Sequence, residues 1–98
     1  MAFPCSQFLS QELGSNEDIK AFARRREFKG MLMNKVKVNG ADASPVFDFC
    51  KAQTNTGNVM WNFTKFLIDK RGLVVARFGP NKNPTAMISK IQELTDAK

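Results

Sequence analysis

Residues 61–78, Trp-Asn-Phe-Thr-Lys-Phe-Leu-Ile-Asp-Lys-Arg-Gly-Leu-Val-Val-Ala-Arg-Phe, hold two apolar runs separated by one polar turn. Phe63–Ile68 and Leu73–Phe78 read as strands, and Asp69-Lys70-Arg71-Gly72 supplies the turn chemistry that folds one back on the other. An antiparallel hairpin is therefore expected, and helical patterns flank it on both sides. Downstream, Asn83-Pro84 opens a helix with Met87, Ile88, Ile91 and Leu94 on its buried side. Upstream, Thr54–Asn58 is loop, and Ser44-Pro45 is a cap followed by proline at the first helical position. Val46, Phe49 and Cys50 share one face of that helix.

Further toward the N-terminus, Met31–Val38 reads as a strand closed by the turn Asn39-Gly40. Ser15 suits an N-cap, with Glu17 and Asp18 at the positive end of the helix dipole and Arg24, Arg25 and Arg26 at the negative end. Ile19, Phe22 and Ala23 form the apolar side of that helix. Residues 1–14 read as the end of a strand and the loop after it. The order helix, strand, helix, hairpin, helix makes a mixed α/β chain whose few strands would form a small sheet with a gap.

A chain of 98 residues, 43% hydrophobic and 24% charged, has the composition of a folded protein with one small core. With no histidine, imidazole acid–base chemistry, Ser-His and Cys-His pairs and most zinc sites are excluded, and no metal site is expected. Two cysteines make no disulfide framework, and no apolar run reaches the length that spans a bilayer. Met1–Gly14 carries neither a basic leader nor a continuous apolar stretch, so the expectation is a cytoplasmic protein with free thiols. Fifteen Lys and Arg against nine Asp and Glu give a net charge of +6, which attracts anions of any kind.

Met1-Ala-Phe-Pro-Cys-Ser-Gln-Phe8 resembles the Ala-Phe-Pro-Cys-Asn-Gln-Phe segment of the glutathione peroxidase family. Gln11-Glu12, Gly14–Lys20, Val38-Asn39-Gly40 and Trp61–Lys70 match the same family in order and at its separations. The short loop before Trp61 is similar to that of the phospholipid-hydroperoxide type, which lacks the longer insertion of tetrameric relatives. The resemblance implies a thioredoxin-like fold, with residues 1–98 as the C-terminal portion of one peroxidase domain. It also implies hydroperoxide reduction with glutathione or another small thiol as co-substrate, no bound cofactor, and a monomeric enzyme. The family's peroxidatic cysteine or selenocysteine lies upstream of Phe3-Pro4-Cys5, so an N-terminally truncated domain is expected. The 98-residue chain alone is then expected to be inactive and prone to poor folding or aggregation.

By motif position the resemblance implies that Gln11, Trp61 and Asn62 surround the reactive chalcogen. Two amide N–H groups and an indole N–H suit that role, because donors aimed at a thiolate or selenolate favour the anion. Without the flanking matches, a lone tryptophan is better read as a core or rim aromatic, and Gln11 as solvated loop. The cationic rim that takes glutathione carboxylates and lipid phosphates maps to Arg77, Lys65 and Lys35. Met60 stands where relatives carry lysine, and Ser6, Leu9 and Leu13 replace Asn, Gly and Pro. Leu9 matters most, since a glycine can hold a backbone shape that leucine resists. Cys5 and Cys50 are read as structural thiols. Arg24 occupies the region of the resolving cysteine of thiol-dependent relatives, which implies direct reduction by a small thiol.

Lys20, Arg24, Arg25, Arg26, Lys29, Lys35 and Lys37 make the first half strongly cationic, and most of these are expected to be a solvated face. The alternative to the peroxidase reading is a catalytically dead basic binding or regulatory domain for anionic lipid or nucleic acid. The aromatics belong to apolar faces and motif positions rather than to a stacking platform, and no nucleic-acid-reading motif is present. The partners expected are therefore a hydroperoxide, a thiol and an anionic phospholipid surface, not a nucleic acid.

Overall fold

The computed structural model describes residues 1–96; the expected domain runs to residue 98, whose last two positions lie outside the described residues. The chain divides into two compact units, Met1–Phe47 and Asp48–Lys98.

In the first unit, α1 spans Asn16–Arg25 as its caps dictate. The Ser15 side chain accepts from the Asp18 N–H at 3.1 Å, satisfying one of the donors a helix start leaves open. At the other end Glu27 takes φ 58°, the Phe28 N–H donates to Ala23 O and the Glu27 N–H donates to Arg24 O, both at 3.0 Å. This is a Schellman stop with glutamate at the position that usually holds glycine. Ile19 of α1 is buried, whereas Phe22 is exposed, so the apolar side is narrower than its spacing predicts.

The expected strand over Met31–Val38 is reduced to an isolated parallel bridge between Ala2 and Leu32. Ala2 N donates to Met31 O at 2.8 Å, Met33 N to Ala2 O at 2.9 Å and Val36 N to Pro4 O at 2.8 Å. Pro4 has no N–H to return, so the ladder cannot propagate through it. The side chain of Gln7 takes over where the backbone stops. Its Oε1 accepts from Val38 N at 2.7 Å and Asn39 N at 3.0 Å, and its Nε2 donates to Asn39 O at 2.9 Å. A side-chain amide here does the work of a peptide unit. Phe8, Ile19, Val38 and Ala43 are buried in this unit, and Phe3 meets Phe47 edge-on at 5.1 Å.

Helix α2, Pro45–Gln53, starts as expected with Val46 N donating to Ser44 Oγ at 3.3 Å. Of its apolar face only Cys50 is buried, while Val46 and Phe49 are exposed. Periodicity fixes which residues share a face but not whether anything covers it.

The hairpin of the second unit pairs β1, Lys65–Ile68, with β2, Val74–Phe78, in antiparallel register. Asp69 Oδ1 accepts from Arg71 N and Leu73 N, and Gly72 supplies the positive φ (84°) of the turn. The strand begins later than expected: Phe63 has φ 62° and is 81% exposed, so it belongs to the turn before β1. A register shift between Leu67 and Ile68 marks a bulge. Gln53 Oε1 accepts from Val74 N at 2.9 Å, tying the end of α2 to the start of β2.

The last helix begins as a 3-10 turn, Pro84–Met87, and continues as α3, Ile88–Asp96. Met87 is buried and Leu94 half-buried, but Ile88 and Ile91 are exposed, which corrects the expected buried face. An open cavity of about 250 Å³ is lined by Leu67 and Ile68 of β1 and by Ile91 and Leu94 of α3. No described helix is long and apolar enough to cross a membrane.

Candidate functional site

Gln11 and Lys35 stand in the first unit; Trp61, Asn62, Lys65 and Arg77 stand in the second. Gln11 is exposed, two residues beyond Leu9 (φ 56°) and directly after Ser10 (φ 50°). Two consecutive non-glycine residues in the left-handed region are strained, and such a loop persists only when its surroundings hold it. Within the turn the Ser10 N–H donates to Ser6 O at 3.1 Å.

Side chains hold both ends of this loop on one segment. Gln7 grips Val38 and Asn39 as described, and Lys35 Nζ donates to Leu13 O at 3.0 Å. The backbone N–H of Lys35 in turn donates to Asn16 Oδ1 at 2.9 Å, at the start of α1. Thus the stretch carrying Gln11 is anchored to Lys35–Asn39. Gln7 is a residue that sequence reasoning passed over; the proline before it, which interrupts a ladder, was the available signal.

Cys5 is half-buried, and its sulfur accepts the Gln7 N–H at 3.4 Å. Cys50 is buried, and burial raises its thiol pKa above the ordinary value of 9.0. Among the described residues no cluster of three or more His, Cys, Asp or Glu side chains could hold a metal ion.

In the second unit Trp61 and Asn62 sit in the turn that leads into β1, Trp61 39% exposed and Asn62 half-buried. Thr64 Oγ1 donates to Trp61 O at 3.1 Å and fixes the turn from its far side. Buried Val59 anchors the approach, while Met60 beside it is exposed.

The cations of the rim are all engaged with backbone. Lys65 Nζ donates to Lys82 O at 2.7 Å. Arg77 donates through Nη1 to Thr56 Oγ1 at 2.7 Å and Gly57 O at 2.8 Å, and through Nη2 to Asn58 O at 2.9 Å. Its guanidinium also lies 5.3 Å from the centre of the Phe66 ring, its cross-strand neighbour. Arg77 therefore holds the loop that delivers Trp61 and Asn62. Because Lys65 pairs with Phe78 and Phe66 with Arg77, Lys65 and Arg77 project from opposite faces of the ribbon. One anion lying on one face meets one of them, not both. A lysine ammonium keeps further donors after one bond, so Lys65 and Lys35 retain hydrogen-bonding capacity for an anion.

Comparison with known proteins adds to this geometry. A sequence model of the family described as glutathione peroxidase matches residues 1–51. The mitochondrial glutathione peroxidase 1 of Chlamydomonas reinhardtii is 47% identical over 102 residues, covering 100% of this chain and 51% of its own length. The phospholipid hydroperoxide glutathione peroxidases of Sapajus apella and Bos taurus are each 51% identical over 89 residues, covering 86% of this chain and 45% of theirs. Among solved structures, Trgpx in its apo form aligns with TM-score 0.73 and 31% identity, over 97% of this chain and 56% of that one. T. cruzi GPX1 aligns with TM-score 0.68 and 32% identity, over 95% and 57% respectively. The chain thus spans about half the length of the curated relatives it matches, and its fold is thioredoxin-like.

Proposed function

This chain belongs to the glutathione peroxidase family, and from that premise we propose that its protein reduces organic and lipid hydroperoxides with glutathione or another small thiol. The observation that carries the reading is the family match over residues 1–51 together with the similarity to phospholipid hydroperoxide glutathione peroxidases over 86% of the chain. Residues 1–98 are read as the C-terminal portion of one peroxidase domain, and the intact enzyme as a cytoplasmic monomer with no bound cofactor.

In this reading Gln11, Trp61 and Asn62 are the catalytic donors. Their N–H groups favour the anionic form of a thiolate or selenolate and stabilise charge on oxygen as the peroxide bond breaks. One hydroperoxide and two thiols give the alcohol, water and a disulfide. Lys65 and Lys35 supply cationic donors for thiol carboxylates or lipid phosphates, and Arg77 contributes chiefly by holding Thr56–Asn58. The family's nucleophile lies upstream of Phe3-Pro4-Cys5, so the 98-residue chain alone has negligible turnover.

The test is a coupled assay of glutathione oxidation with a lipid hydroperoxide. The 98-residue chain is expected to run at the uncatalysed rate. A glutathione-dependent rate abolished by Trp61→Phe would overturn the inactivity of the chain while upholding its site.

A further inference from the structure

Asn39 is the one asparagine of the chain that is followed by glycine. An asparagine amide is open to attack by the backbone nitrogen of the next residue, and glycine puts no Cβ in the way. Gly40 is exposed with φ 88°, and an added Cβ there would meet nothing within 4 Å. Its carbonyl accepts from Ala43 N at 3.2 Å, but its N–H donates to no acceptor among the described residues. The attacking nitrogen is therefore uncommitted, and solvent reaches it.

The residue before it is held. Both backbone groups of Asn39 are bonded to the Gln7 amide, N to Oε1 at 3.0 Å and O to Nε2 at 2.9 Å. Closing an imide ring between Asn39 and Gly40 takes the Asn39 carbonyl into the ring and swings it, and both Gln7 bonds oppose that movement. The turn beyond is closed by Ser44 N on Lys37 O at 2.8 Å, and Lys37 meets Asp42 across it at 3.9 Å.

We propose that Asn39-Gly40 is a site of spontaneous deamidation that Gln7 restrains, and that its isoaspartate product unfastens the turn Lys37–Ser44. The Gly40 nitrogen attacks Asn39 Cγ. A new C–N bond forms, the Cγ–Nδ2 bond breaks, and the Gly40 proton leaves with that nitrogen as ammonia. Water then opens the succinimide, with no oxidant or reductant involved. Attack at the former backbone carbonyl leaves the chain running through Cγ, as isoaspartate; attack at Cγ gives aspartate. Isoaspartate adds one backbone atom inside the turn that Ser44 closes on Lys37, and puts a carboxylate where Gln7 Nε2 met a peptide carbonyl. Aspartate leaves the backbone path intact. Gln7 also holds one end of the loop that carries Gln11, so the isoaspartate loosens that loop whatever reaction Gln11 serves. The proposal rests on the first unit alone and stands whether or not the peroxidase reading does.

The experiment follows the tryptic peptide Val38–Lys51, in which Asn39 is the one side-chain amide, while the chain ages in mildly alkaline buffer. Mass spectrometry reads the change from amide to acid. Methyl transfer from S-adenosylmethionine by an isoaspartyl methyltransferase separates isoaspartate from aspartate. Isoaspartate is expected to accumulate in this peptide, more slowly in the folded chain than in guanidinium chloride. Gln7→Leu should raise the rate in the folded chain at least about tenfold. Asn39→Gln keeps the backbone that Gln7 grips and should abolish the change. Amide exchange at Ser44 should quicken in the aged, isoaspartate-bearing chain and not in Asn39→Asp. An unmodified peptide, or a Gln7→Leu rate no higher than that of wild type, would overturn the proposal. So would equal exchange at Ser44 in the aged chain and in Asn39→Asp.

Discussion

Leu9 holds the left-handed conformation that favours glycine, φ 56°. Left-handed backbone costs a side-chain-bearing residue about 1–2 kcal/mol, part of which glycine's freedom in the unfolded chain takes back. Leu9→Gly is therefore expected to stabilise the chain by about 0.5–1 kcal/mol, read as a higher urea midpoint at unchanged slope. Cys50 gives a prediction in pH. Its thiol is held neutral in the fold, so up to the ordinary value of 9.0 both states are protonated and nothing is gained or lost. Above it the unfolded chain ionises and the folded one resists, so stability falls as pH rises. The stability difference between wild type and Cys50→Ala should narrow from pH 8 to pH 10 in urea titrations. The left-handed backbone at Leu9 fits the expectation that this position demands a shape that leucine resists. The partners of Arg77 and Lys65 were not legible in the sequence, because all but the Thr56 hydroxyl are backbone carbonyls, which the identities of neighbouring residues do not announce.

Among the elements, helix ends were the most legible features, since capping is written in the residues that perform it. Ser15 and Ser44-Pro45 stand where expected. The stop of α1 was legible only as a run of arginines, because its structural device is a glutamate in a glycine's place. Glu27→Gly should therefore raise stability by about 0.5–1 kcal/mol while leaving α1 helicity intact by circular dichroism. The strand over Met31–Val38 was over-read: its β-branched and apolar residues fit a strand, but pairing depends on a partner, and Pro4 ends it. Gln7 and Arg77 are the counterparts of that lesson, side chains that complete what backbone cannot. Gln7→Leu should accelerate amide exchange at Val38 and Asn39 by roughly five- to tenfold per lost bond, with α1 amides unaffected.

For the molecule as a whole, exposed apolar surface is the dominant physical fact. Leu9, Val46, Phe49, Met60, Phe63, Ile88 and Ile91 are exposed together with Trp61, and the hairpin has two strands only. Burial of such surface is worth about 25 cal/mol per Å², so chains at high concentration gain by covering it on one another. Sedimentation velocity should show the 98-residue chain associating as concentration rises, whereas a monomer across the range would argue against this. The mixed α/β class and the family were legible in the sequence, because motifs in register survive without knowledge of burial. Which faces are covered was not, because periodicity is blind to the partner.

The grip of Arg77 on Thr56, Gly57 and Asn58 also limits how this chain can change in length. One guanidinium, fixed in β2 by its register with Phe66, reads three consecutive residues, so it acts as a gauge for the loop before Trp61. A residue added upstream of Thr56 can bulge away without disturbing the grip. One added between Thr56 and Trp61 must either displace the three acceptors from Arg77 or rotate Trp61 and Asn62 out of their turn. Length variation tolerated by this loop should therefore collect on the α2 side of Thr56.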